Sequence, residues 1–147
     1  METLLKEALW AYIRDHNPEL MYDLQENYAV SAYLDKKVGA VQGMAIELIV
    51  AEYPKYLIEA RCMEVMTAEL MPSRYLYLKG IFESEFEDEA ALYGGSGILV
   101  CEVIGMLEHC KGVLDEMGFS VHNEEDPEIR NAVIGLLQGY LYAEHDE

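Results

Sequence analysis

The sequence predicts an all-α fold, a single compact bundle of six or seven helices occupying residues 1–147 as one domain. Three observations carry that reading. Apolar residues recur at spacings of three and four nearly throughout, proline and small polar residues punctuate the chain at helix-length intervals, and no stretch alternates in the manner of a strand. With 52% hydrophobic and 26% charged residues, the composition is that of a chain that packs a core rather than one that stays disordered.

Leu5, Leu9, Tyr12 and Ile13 form the first apolar stripe, which ends at Asp15-His16-Asn17-Pro18. Asn17 reads as an N-cap with Pro18 at the first helical position, where its missing N–H costs nothing. From about Gln25 to Glu52 the rhythm continues through Tyr28, Ala32, Tyr33, Val41, Met44, Ala45 and Leu48, and Gly39 and Gly43 leave open whether this span is one helix or two. Tyr53-Pro54 starts another helix, running to about Met71 through Leu57, Ile58, Cys62, Val65 and Met66. After Met71-Pro72, Ser73 is the cap of a helix in which Tyr75, Leu78, Ile81, Phe82 and Phe86 share a face and Glu83 and Glu87 lie outside.

Tyr93-Gly94-Gly95-Ser96-Gly97 is expected to be the clearest loop of the protein. Beyond it Val100, Val103, Leu107, Cys110, Leu114 and Met117 fall at spacings of 3, 4, 3, 4 and 3, with Gly118 placed to end the helix in the left-handed conformation. At under three heptads this reads as a core helix rather than a free-standing coiled coil. Asp126 and Pro127 then open a last helix with Ile129, Val133, Leu136, Leu137 and Tyr140 inward.

Charge narrows the function. Ten Lys and Arg stand against 28 Asp and Glu, a net of −18, and residues 80–147 hold 16 acids and 2 bases. Such a surface repels nucleic acid, so direct DNA or RNA binding is not expected, whereas a basic protein partner is compatible with it. Glu2, Lys6, Glu7, Arg14 and Asp15 interrupt any signal-peptide core, and no apolar run approaches the ~18 residues needed to cross a bilayer. A cytoplasmic protein without membrane association is expected. Cys62, Cys101 and Cys110 are odd in number with no CxxC spacing, which suggests neither a disulfide framework nor zinc.

No residue set announces catalysis. Gly94 to Gly97 lack the lysine of a phosphate-binding loop. The residues three before the histidines are Ile13, Met106, Phe119 and Tyr142, so the Glu-x-x-His pattern of di-iron bundles is missing. Neither GxSxG nor SxxK occurs, and the acids of 83–89 read as a solvated helix face. The chain is therefore expected to be no enzyme, with no cofactor and no metal.

Two features point to association. Ala132, Gly135, Gly139 and Ala143, and likewise Gly39 and Gly43, form small-residue strips, read first as close helix approach within the domain and second as a homodimer contact. The 11 tyrosines suit an interface. The expected interaction surface comprises Tyr53, Tyr56, Tyr75, Tyr77, Glu83, Glu87 and Asp88. The leading expectation is a non-enzymatic interaction or accessory protein presenting an acidic, tyrosine-bearing face to a protein partner. The alternative is an acidic mimic of nucleic acid that occupies the DNA-binding groove of its target.

Asn17-Pro18-Glu19-Leu20, the run Ile58 to Met66, Ser73-Arg74-Tyr75 with Glu85-Phe86, and Asp126 to Arg130 together give the chain a family likeness. It resembles a family of small, acidic, all-helical bacterial proteins of unknown function from Gram-negative anaerobes, often found near mobile elements. The resemblance implies an all-helical domain and assigns no site residue.

Overall fold

The computed structural model describes residues 1–145, with side chains up to Tyr142. Among the described residues there are eight α-helices and no strand. They are α1 (Glu2–His16), α2 (Pro18–Glu26), α3 (Val30–Val50), α4 (Lys55–Thr67), α5 (Arg74–Glu85), α6 (Glu87–Ser96), α7 (Leu99–Glu116) and α8 (Pro127–His145), with a 3₁₀ turn over Ala68–Leu70. The all-α class stands, with eight helices in place of six or seven.

The extra helix arises at Phe86. Its backbone leaves the helical region (φ −132°, ψ 53°) while its side chain stays buried, so the chain turns a corner between α5 and α6. Phe86 keeps both of its own backbone bonds: its N–H donates to the Phe82 carbonyl and its carbonyl accepts from Ala90, both at 2.9 Å. Glu87, Asp88 and Glu89 thereby form the first turn of α6, where the free N–H groups favour negative charge.

The glycine-rich stretch is not a loop. Tyr93 to Ser96 complete α6, and Gly97 alone (φ 77°) breaks it: Ile98 N–H reaches the Tyr93 carbonyl and Gly97 N–H the Gly94 carbonyl, the bond pair of a Schellman motif. Gly118 (φ 64°) closes α7 with the same bonds, to Leu114 and Asp115. Two further ends use the motif without glycine, at Tyr28 (φ 54°) and Glu52 (φ 62°). Tyr28 marks the break that separates α2 from α3, so the span read from Gln25 onward starts as one helix at Val30 and runs unbroken through Gly39 and Gly43.

Predicted caps form at Ser73, whose Oγ accepts from Leu76 N–H at 3.0 Å, and at Asp126, whose Oδ1 accepts from Glu128 N–H at 2.9 Å. Asn17 occupies the cap position without making a side-chain cap bond. Its amide donates to Glu19 Oε1 at 3.5 Å, and its buried Oδ1 has no hydrogen-bond partner among the described residues.

The chain divides into two compact units, Met1–Met71 and Pro72–Glu147. In the first, Leu5, Leu9 and Ile13 of α1 meet Val38, Val41 and Ala45 of α3 and Ile58, Cys62 and Met66 of α4. Each of the three α1 side chains is fully buried, a contribution of about 1.5–3 kcal/mol apiece. Lys6 pairs with Asp35 (2.6 Å) and Lys37 with Glu69, tying α3 to α1 and to the 3₁₀ turn.

In the second unit Leu78, Ile81 and Phe82 of α5 pack with α7 and α8. The α7 seam is Val103, Met106, Cys110 and Leu114; Met106 replaces the expected Leu107, which is half-buried, and Val100 is exposed. On α8 the buried residues are Ile129, Val133, Leu137 and Leu141, while Leu136 and Tyr140 are half-buried. The α7–α8 contact includes one close approach, at Gly105, where a Cβ would lie 2.7 Å from the Tyr140 hydroxyl. No helix among the described residues is long and apolar enough to cross a membrane.

Candidate functional site

The end of α3 and the start of α4 build the feature that the core does not explain. α3 stops in a left-handed Glu52, with Glu52 N–H on the Ile49 carbonyl (3.0 Å) and Tyr53 N–H on the Leu48 carbonyl (3.1 Å); Pro54, extended at φ −59° and ψ 145°, then launches α4. This tight reversal puts Ile49 and Val50 on one side of a corner and Tyr53, Tyr56 and Leu57 on the other. All five are exposed, Val50 to 77% and Tyr56 to 70%. Five large apolar side chains left in water within nine positions form a contiguous stretch of the kind that marks a protein contact rather than scattered surface residues.

A cleft of about 100 Å³ lined by Leu48, Tyr53, Leu57 and Arg61 opens at this corner. Neither Arg61 nor Lys55 takes part in an ion pair among the described residues. In a chain of net −18, Arg61 places an unengaged cation in the wall of an apolar cleft. Such a site can seat an apolar or aromatic anchor with a carboxylate beside it. It holds no nucleophile–base pair.

A larger, open depression of about 520 Å³ lies in the second unit, lined by Leu76, Tyr77, Gly80, Ile81, Glu124, Glu125 and Arg130. Arg130 is already engaged there, its Nη2 donating to Glu85 Oε1 (2.8 Å) and Ser84 Oγ (3.2 Å). The Tyr77 hydroxyl is buried without a hydrogen-bond partner among the described residues, and burial raises its pKa, with Arg130 acting in the opposite direction.

The residues expected to form one interaction surface fall in both units. Tyr53 and Tyr56 belong to the exposed corner of the first unit. Tyr75 is 4% exposed and part of the second core, and Tyr77 is half-buried with its ring 4.6 Å from that of Phe119. Both serve packing, because α5 turns its 75–78–82 face inward and position 77 lies at the edge of that face. Glu83, Glu87 and Asp88 are exposed in the second unit.

Sequence reasoning passed over Ile49, Val50 and Arg61 as surface residues and placed Leu57 on the packing stripe of its helix, where the structure leaves it exposed. The available signal was that Val50 falls opposite the stripe formed by Val41, Ala45 and Leu48; Ile49, four residues after Ala45, carries no such signal. The glycine strips also behave otherwise than close packing within the unit requires: a Cβ on Gly39, Gly43, Gly135 or Gly139 would meet nothing within 4 Å. Ala132 is half-buried, and the side chain of Ala143 lies outside the described residues.

Among the described residues no three His, Cys, Asp or Glu side chains are placed together to hold a metal ion. Cys62 and Cys110 are buried and Cys101 is exposed; burial pushes the Cys110 thiol up to about 11, so it is protonated and unreactive at neutral pH. Comparison with known protein families, with curated proteins and with solved structures gives no match.

Proposed function

We propose that this is a non-enzymatic interaction or accessory protein of the cytoplasm, and that the α3–α4 corner is where it holds a protein partner. One observation carries the reading. Tyr53 and Leu57 line a cleft together with an unengaged arginine, and Ile49, Val50 and Tyr56, close to them in the chain, are likewise left in water. The partner inserts an apolar or aromatic anchor there, and the net charge of −18 favours a basic partner. The family likeness in the caps and packing positions is compatible with this role and adds no site to it.

A second reading, the acidic mimic of nucleic acid, is favoured by Glu83, Glu87 and Asp88, which are exposed and free of ion pairs among the described residues. Affinity purification from the native cell separates the two. The apolar corner predicts a partner lost on Tyr56→Asp and retained at about 0.5 M salt, where charge attraction is screened. A partner indifferent to Tyr56→Asp and released by salt contradicts it and supports the mimic.

A further inference from the structure

We propose that α3 is the seam of a homodimer, in which two copies pack their α3 helices antiparallel about a two-fold axis at position 41. The seam does not rest on the partner-binding reading: it shares Val50 with that corner but uses none of Tyr56, Leu57 and Arg61.

One face of α3 supplies Val38, Val41 and Ala45 to the core. The opposite face carries Ala32, Lys36, Gly39, Gly43, Ile46 and Val50, at spacings of 4, 3, 4, 3 and 4, and all six are exposed. These positions form one continuous face over 19 residues, exposed and used by nothing among the described residues of its own unit. Gly39 and Gly43 are mid-helix glycines, each costing about 1 kcal/mol relative to alanine. Their Cβ positions meet nothing within 4 Å, so no contact inside the unit calls for them. Ile46 and Val50 are 57% and 77% exposed on the same face.

The spacing reads identically from either end, which is what an isologous contact requires. About an axis at position 41, Gly39 lies opposite Gly43 of the second copy, Lys36 opposite Ile46, and Ala32 opposite Val50. The smallest residues meet at the centre, where the helix axes come closest, and the larger ones fill the ends against alanine and a lysine stem.

Charge selects the second copy and its direction. Asp35 and Lys37 are tied to Lys6 and Glu69 within the unit, whereas Lys36 and Glu47 are in no ion pair among the described residues. In the antiparallel register the Lys36 ammonium comes beside Glu47 of the second copy, twice by symmetry. A parallel pair would set lysine beside lysine. The same register brings the end bearing Tyr28, which is 97% exposed, beside the Val50–Tyr53 end of the other copy.

The test is sedimentation equilibrium of the full chain at about 0.15 M salt, where repulsion between two acidic copies reaches only ~8 Å. Wild type is expected to dimerise at micromolar concentration. Ile46→Glu, or Gly43→Leu at the axis, should weaken the dimer by about a hundredfold, because each buries a charge or forces the helices apart. Lys36→Glu and Glu47→Lys should each weaken it by about tenfold, and the two together should restore it to within about threefold of wild type. All four positions are exposed, so helix content by circular dichroism stays unchanged. A wild type that remains monomeric, a dimer that survives Ile46→Glu and Gly43→Leu, or a charge swap that fails to restore association overturns the proposal.

Discussion

The Tyr140 hydroxyl lies 2.7 Å from the point where a Cβ on Gly105 would project, and 3.4 Å from Glu102 Oε2 one turn earlier on the same helix. Gly105 therefore makes room for a polar tip that bridges α8 to α7. Elsewhere on α7 a mid-helix glycine is a plain cost: at Gly112 a Cβ meets nothing within 4 Å. Gly112→Ala should raise stability by about 0.5–1 kcal/mol, whereas Gly105→Ala should gain nothing or lose, because the hydroxyl must move. In a Tyr140→Phe background Gly105→Ala should recover most of the missing gain. Urea melts of the four variants check this as a double-mutant cycle, and equal effects of Gly105→Ala in both backgrounds would contradict it.

The left-handed residues Tyr28 and Glu52 close α2 and α3 without the glycine such positions favour. Both are exposed, so their side chains gain little packing in exchange for a backbone strain of about 1 kcal/mol. Tyr28→Gly and Glu52→Gly are each expected to stabilise the protein by about 0.5–1 kcal/mol, less the entropy glycine adds to the unfolded chain. Gly118→Ala, at φ 64°, should destabilise by a similar amount. Thermal melts with opposite signs at the two kinds of site would bear this out.

Glu19 titrates above the ordinary carboxylate range because burial disfavours its charge, with its own backbone N–H and the Asn17 amide opposing the shift. Its Oε2 and Asn17 Oδ1 are both buried acceptors lacking a donor among the described residues, and protonation supplies one. The sign follows from linkage: the folded state binds the proton more tightly than the unfolded one, so this group favours folding below the ordinary glutamate value of about 4.3 and penalises it once pH rises past its raised value. Glu19→Gln should therefore melt above wild type at pH 7, with the difference shrinking as pH falls through that window. A deficit at pH 7 would show that the carboxylate is held in its charged form instead.

Much of the fold is legible in the sequence because helix ends carry local chemistry. Ser73, Asp126-Pro127 and Gly118 are each read from residue type alone, and each makes the cap or left-handed turn expected. The Phe86 corner is not legible, since a buried aromatic at helical spacing looks the same whether the helix continues or turns. Gly94 and Gly95 mislead by composition: only Gly97 needs positive φ, and its neighbours tolerate the helix. The seam on α7 shifts from Leu107 to Met106 because a helix packed against α5, α6 and α8 buries a wider arc than one heptad stripe. At the candidate site Tyr53 and Tyr56 are visible as amphipathic residues. Leu48-Ile49-Val50 is an unbroken apolar run, and which members face water depends on the direction in which α4 leaves.

The central claim is that the α3–α4 corner is the working surface, and site-specific photocrosslinking in the native cell addresses it most directly. A benzophenone side chain in place of Tyr56, exposed at the corner, is compared with one in place of Tyr142, similarly exposed on α8. A discrete adduct with one protein from position 56, absent from position 142 and abolished by Arg61→Glu, is the predicted result. No adduct from position 56, or the same adducts from both positions, would contradict the account.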